Sequence, residues 1–251
     1  MKTVVILCLA RSGSSLLSGI LHRLGVRMGP IEELVKGTHS NKYGNYENQD
    51  FLKLSYKILI QAGSCSLTWA DIPNDTELWG WKDPSTIYTL PFFEKYLENP
   101  YYIVLKRDVD SMVDSHMNLS KISNWFYSVK YILGHINLKM ATYLLWNLIK
   151  RFFSQVNIFN DEKVYREVIK EGFMRIDRFV KGKKYIEIPF NDLISDTLQV
   201  INRIVRFLDI NPSIRQFENA KAFIDKSEIH FYDNIKRFSF YFFGFKSYVL
   251  E

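Results

Sequence analysis

The chain has 251 residues, 47% hydrophobic and 24% charged, which allows one substantial α/β core and excludes a disordered chain. Its net charge of +6 suits a polyanionic ligand, but the Lys and Arg are scattered rather than gathered in a basic arm, so nucleic acid is not expected as a partner. Cys8 and Cys65 lie far apart and neither has neighbours at metal-ligand spacing, which argues against a disulfide framework and for a reducing compartment with no bound metal.

The first element is the most informative. Thr3 to Gly25 reads TVVILCLARSGSSLLSGILHRLG: an apolar strand, a short loop of small and cationic residues, then an amphipathic helix. Lys2 and the following VVILCLA imitate a signal peptide, yet Arg11 and the glycine loop interrupt the run at once. A buried parallel strand accounts for it better, with Cys8 as a small buried hydrophobe. No stretch reaches the ~20 apolar residues of a spanning helix, so a soluble, cytoplasmic protein is expected. In the helix, Leu16, Leu17, Ile20, Leu21 and Leu24 share one stripe, and Gly25 closes it.

Between strand and helix, backbone N–H groups and a helix N-terminus converge on one point, a way of holding phosphate or sulfate. The loop nevertheless fails the test of a nucleoside-triphosphate site, whose GxxxxGKS/T pattern needs Lys before the metal-binding hydroxyl. Here Gly13 is followed by Ser14 and Ser15, and the cation, Arg11, precedes the glycine. The pattern grips an anion without the magnesium–triphosphate apparatus.

Residues Arg27 to Asn48, rich in Gly, Asn and charge, read as a loop; a helix is predicted from about Asp50 to Gln61, capped by Asn48 or Asp50. Leu78 to Lys82 is a short strand, and Pro84 suits the first turn of the next helix. Tyr101 to Lys106 is a buried strand followed by a helix over Asp108 to Met117. Ser120 to Arg178 is mostly helical and strandless and reads as an insert, about 120–178. Tyr185 to Ile188 is a strand, and a helix is predicted near Asp192 to Leu208. Such alternation implies a parallel sheet with ligands at the C-terminal ends of its strands. The aromatic tail, FSFYFFGFKSYVL over Phe238 to Leu250, reads as packing over the core, or as an interfacial patch for a lipid-linked substrate.

The second informative segment is LKRDVDSMVDSH. Arg107 stands at a strand end, Ser115 follows on the next helix, and Ser111 and Ser115 share a helical face. An Arg fork with a helix-borne hydroxyl makes a clamp for a second phosphate. In isolation Arg107 would read as a surface ion pair and Ser115 as a solvated residue. Together with the loop at Arg11 to Ser15, the clamp is the better reading.

This pair resembles the two signature segments of the sulfotransferases that use 3′-phosphoadenosine 5′-phosphosulfate (PAPS). LARSGSSLLSGIL matches the loop that binds the 5′-phosphosulfate, and Arg107 with Ser115 matches the 3′-phosphate motif. WGWKDPST, Trp79 to Thr86, is similar to a segment of the bacterial carbohydrate-type branch. IEIPFNDLISD, Ile186 to Asp196, resembles the segment where the family places an adenine-contacting aromatic, here Phe190; FIDKSEIHFY, Phe223 to Tyr232, is similar to a C-terminal signature. The resemblance covers residues 1 to about 119 and 184 to 232. It implies a single domain over 1–251 with a P-loop NTPase-like three-layer α/β fold, a central parallel sheet and a helical insert.

The resemblance also implies roles. Arg11, Ser12, Gly13, Ser14 and Ser15 would hold the phosphosulfate, with Arg11 in place of the lysine common in well-known members; Arg stays charged but cannot readily shuttle a proton. Arg107, Ser115 and Phe190 would bind the rest of the donor. Lys82 would stabilise the departing bridge oxygen. A sulfuryl group carries less negative charge than a phosphoryl group, so fixed cations and N–H donors could serve without a metal. Activating an acceptor hydroxyl calls for a base. Glu47, in GNYENQD, resembles a GYFE-like segment of relatives and is the first candidate; read alone it is equally a solvated carboxylate before a helix. Asp83 is a second candidate, although Asp before Pro is also an ordinary N-cap. Glu32 and Glu33 follow the GP turn, where another bacterial subgroup carries a catalytic Glu. Pro84 stands where the cytosolic branch has its catalytic His; His22 reads as a helix surface residue, and neither it nor His116 as a metal ligand.

The expected activity is therefore sulfuryl transfer from PAPS, with adenosine 3′,5′-bisphosphate (PAP) as product, to a hydroxyl or amine of a saccharide or glycolipid, at the inner membrane surface if the aromatic tail is interfacial. Two rivals stand beside it: a P-loop small-molecule kinase, and a non-catalytic nucleotide-binding protein.

Overall fold

The computed structural model describes residues 1–29, 46–60, 77–122 and 161–224. In chain order these form β1 (Lys2–Leu7), α1 (Ser14–Arg23), α2 (Gln49–Ile60), β2 (Leu78–Lys82), α3 (Thr86–Phe93), a single 3₁₀ turn, β3 (Pro100–Lys106), α4 (Val109–Ile122), α5 (Glu162–Val180), β4 (Tyr185–Pro189), α6 (Phe190–Ser195), α7 (Thr197–Leu208) and α8 (Ile214–Ala222).

The four strands are all parallel, in the order β2-β1-β3-β4. Period-2 alternation divides their side chains between two apolar layers. Val4 and Ile6 of β1, with Tyr101, Ile103 and Leu105 of β3, meet α1, α6, α7 and α8 through Leu17, Ile20, Leu21, Leu193, Ile201 and Ala220. Val5 and Leu7, with Tyr102 and Val104, meet α2, α3, α4 and α5 through Phe51, Leu90, Phe93, Met112, Ile169 and Ile176. The result is a three-layer α/β fold of the P-loop-like type, with the glycine loop joining the inner strand β1 to α1.

Aromatic stacking organises the β2 side. Phe51 of α2 lies flat on Trp81 at 4.2 Å, and Trp79 stacks on Trp81 at 5.7 Å. Asn48 caps α2, its Oδ1 accepting from the N–H groups of Asp50 and Phe51, so of the two cap candidates Asn48 serves. Gly25 closes α1 with φ 98°, and the chain then runs beside β2, where Arg27 bridges Trp79.

Four elements differ from the sequence reading. The helix predicted over Asp192 to Leu208 is two helices, α6 and α7, broken at Asp196, whose carboxylate accepts from the Gln199 N–H and starts α7 afresh. Pro84 lies in the turn ahead of α3 rather than inside its first turn. α8 was not anticipated; a reciprocal capping box between Ser213 and Gln216 starts it. α5, inside the expected insert, belongs to the core layer: Tyr165, Ile169, Ile176 and Val180 are buried, and Gly172 leaves room for Leu9 of the loop, which a Cβ would meet at 2.7 Å. Residues 123–160, Glu32, Glu33, Cys65, most of the Phe223 to Tyr232 segment and the aromatic tail lie outside the described residues. None of the described helices is long and apolar enough to cross a membrane.

Candidate active site

Because all four strands are parallel, their C-terminal ends share one edge of the sheet, and that edge collects the residues singled out from the sequence. Arg11 and Gly13 follow β1, Lys82 ends β2 and Asp83 follows it, Arg107 follows β3, and Phe190 follows β4.

The loop after β1 turns sharply. Arg11 has φ 68° and Gly13 φ 89°, both left-handed. For Gly13 this is free of strain, and the Phe190 ring occupies the space a Cβ would take, 2.1 Å from it. For Arg11 the conformation costs about 1–2 kcal/mol, and its polar groups offset that cost. Its Nε and Nη2 donate to Ser115 Oγ at 3.1 and 3.0 Å, while its carbonyl accepts from Arg107 Nη1 at 3.1 Å. The two segments read from the sequence as anion-binding are thus in direct contact. Ser115, read from the sequence as half of a phosphate clamp with Arg107, accepts here from Arg11.

The Arg107 guanidinium lies over the Phe190 ring, 4.5 Å from its centre, so that ring touches both the glycine turn and Arg107. α1 begins with no acidic residue in its first turn and no side-chain cap, which leaves the positive end of its dipole unneutralised. Ser12 is fully buried and its Oγ has no hydrogen-bond partner among the described residues, an arrangement that costs about 1–3 kcal/mol unless something accepts its proton. These features suit the oxygens of a bound anion.

Beside the loop lies a second cluster. Lys82, 2% exposed, donates from Nζ to Glu47 Oε1 at 2.6 Å, and Glu47 is 19% exposed. The sequence separation of this pair, across residues outside the described set, hid it from local pattern reading. Asp83, also buried, points its carboxylate at Ser85, accepting from the Ser85 N–H at 2.8 Å and from its hydroxyl. Those bonds tie the turn ahead of α3, but the N-cap of α3 is Ser85 and it has no side-chain cap, so Asp83 is not the helix cap weighed for it. Cys8 touches the same cluster: burial pushes its thiol up to about 11, against the pull of the Lys82 charge and a hydrogen bond with Ser14. It stays a neutral thiol.

The sequence reading missed the wall behind Arg11. His116, next to Ser115, stacks on Tyr165 of α5 with ring centres 3.8 Å apart. Burial raises the Tyr165 hydroxyl while the nearby Arg11 charge lowers it. The spacing of Tyr165, Ile169, Ile176 and Val180 was the available signal for a core helix. His22, read as a surface residue, is half-buried, and its Nδ1 is buried with no hydrogen-bond partner among the described residues. Among the described residues, no group of three or more His, Cys, Asp or Glu could hold a metal ion.

Comparison with known proteins gives a family. A family model described as the sulfotransferase family matches residues 3–213. Among solved structures, the chain is similar to the sulfotransferase domain from the Synechococcus PCC 7002 olefin synthase, with TM-score 0.46 and 17% identity over 86% of this chain and 76% of that one. It is also similar to the sulfotransferase domain from the curacin biosynthetic pathway, with TM-score 0.45 and 18% identity over 85% and 75% of the two chains. Comparison with the curated proteins returns no match.

Proposed function

The chain belongs to the sulfotransferase family, and on that premise we propose that it moves a sulfuryl group from PAPS to a hydroxyl, or an amine, of a saccharide or glycolipid acceptor. The observation that carries this reading is the contact between the two anion-binding segments, Arg107 on the Arg11 carbonyl and Arg11 on Ser115. A donor charged at both ends of an adenosine needs both segments at one place.

In this reading the turn from Arg11 to Ser15 receives the phosphosulfate. The fixed charge of Arg11, the Ser12 hydroxyl and the backbone N–H groups at the start of α1 spread over its oxygens. Arg107 and Ser115 take the 3′-phosphate, and Phe190 offers a face for adenine. The acceptor oxygen attacks sulfur in line as the bond to the bridging oxygen breaks, and that electron pair stays on the departing phosphate. Lys82 stabilises the charge that builds there. Glu47 takes the acceptor's proton; its contact with Lys82 puts base and cation side by side. Asp83, engaged with Ser85, supports the turn that ends β2.

Calorimetric titration with PAP, and separately with magnesium-ATP, tests the donor, and radiolabelled PAPS with a panel of saccharides and glycolipids tests the transfer. PAP binding, indifference to magnesium-ATP and label on a saccharide or glycolipid are expected. Binding of magnesium-ATP without PAP would overturn the reading in favour of a kinase, and PAP binding without transfer in favour of a binding protein. Glu47→Gln is expected to lower turnover ~10²-fold while PAP binding holds. Should turnover survive in that variant, Glu47 is not the base.

A further inference from the structure

Glu47 stands between two anchors that hold its backbone from opposite sides. After it, Asn48 is buried and caps α2 through Oδ1. Before it, Tyr46 has φ 51°, left-handed backbone that a bulky residue adopts only where its surroundings impose it. Those surroundings lie on the last turn of α1. Arg23 donates from Nη1 to the Tyr46 hydroxyl at 3.1 Å and to the Gly19 carbonyl at 3.0 Å, and its guanidinium lies 3.6 Å over the Phe223 ring. Phe223 in turn meets the Tyr46 ring edge-on at 6.1 Å. The ring of Phe223 reaches α1 only because Gly19 has no Cβ, which would lie 2.1 Å from it.

A glutamate has three side-chain torsions, and a single ion pair to Lys82 does not fix them all. A base misplaced by about 1 Å can lose ~10²-fold in rate. Clamping the backbone on both sides leaves the carboxylate far fewer ways to wander. We propose that Tyr46, gripped by Arg23 and Phe223, is a positioning residue for the Glu47 carboxylate, so that the far end of α1 helps to set the geometry of proton removal. This rests on the reading of Glu47 as the base.

The test compares wild type, Tyr46→Phe, Arg23→Lys, Glu47→Gln and Tyr46→Phe/Glu47→Gln. Each is assayed for transfer from PAPS to the best saccharide of the panel above, for the slow hydrolysis of PAPS without acceptor, and for PAP affinity, with thermal melts to confirm folding. Tyr46→Phe removes only a hydroxyl, and is expected to lower kcat ~5–20-fold with PAP affinity within ~2-fold of wild type. Arg23→Lys keeps the charge but loses the fork, and should fall in the same direction. In the Glu47→Gln background, Tyr46→Phe should add nothing, a non-additivity that a general loss of stability would not produce. Unchanged kcat in both single variants, independent losses in the double variant, or PAP affinity falling in step with kcat would each overturn the proposal. If Glu47→Gln itself keeps full activity, the base assignment has failed, a result distinct from failure of the clamp alone.

Discussion

Arg11 and Ser115 are hydrogen-bonded at 3.1 and 3.0 Å although 104 positions separate them in the chain. The turn after β1 and the helix after β3 are therefore one structure, and Arg107 strengthens it by donating to the Arg11 carbonyl. A perturbation of either segment reaches the other.

The first prediction concerns that junction. Arg107→Ala is expected to weaken PAP binding by about 2–4 kcal/mol, because a desolvated phosphate loses a charged partner. Ser115→Ala removes a single hydroxyl and should cost about 1 kcal/mol. Calorimetric titration of the two variants with PAP gives both numbers. Unaltered affinity in Arg107→Ala would remove the 3′-phosphate assignment.

Lys82 is buried against Glu47 at the C-terminal end of β2, on the same edge of the sheet as the glycine loop. Lys82→Met keeps the aliphatic stem and removes the charge. Turnover should fall ~10²–10³-fold, with PAP affinity changed by no more than ~3-fold, because the charge acts on an oxygen that becomes negative only during transfer. Equal losses in affinity and turnover would instead make Lys82 a ground-state binding residue. Steady-state kinetics beside titration separates the two.

Gly13 combines a left-handed backbone with the Phe190 ring where its Cβ would lie. Gly13→Ala is expected to destabilise the fold by about 2–4 kcal/mol, read from urea midpoints. Pairing it with Phe190→Ala should recover the steric part and leave the backbone part, so the double variant unfolds later than the sum of the single losses predicts. Strict additivity would mean the ring is not what excludes the side chain.

His22 supplies a pH dependence. Burial, and then the neighbouring Arg23 charge, hold its imidazole below the ordinary value of 6.5. A depressed folded value means the unfolded chain binds the proton more readily, so this contribution to stability is whole above about 6.5 and is lost as pH falls below it. Urea midpoints taken from about pH 7.5 to about pH 5 should fall for the wild type and fall less for His22→Gln. Equal slopes would rule out His22 as the source.

Much of the architecture was legible because it rests on short-range physics. Short apolar runs announced β1, β2, β3 and β4 to within a few residues, and the small residues from Arg11 to Ser15 announced the turn between β1 and α1, since backbone sterics act over a few positions. The break at Asp196 and the capping box at Ser213 were equally local, but a continuous apolar stripe concealed the first and a polar stretch the second. What the chain could not disclose by itself is which distant groups meet. That Ser115 accepts from Arg11, that Glu47 pairs with Lys82 while Asp83 turns to Ser85, and that Tyr46 is held by Arg23, were decided when parallel register brought four strand ends to one edge and the helices packed over them. Side-chain partnerships of that kind depend on distances of a few ångströms between elements, which residue order alone does not encode.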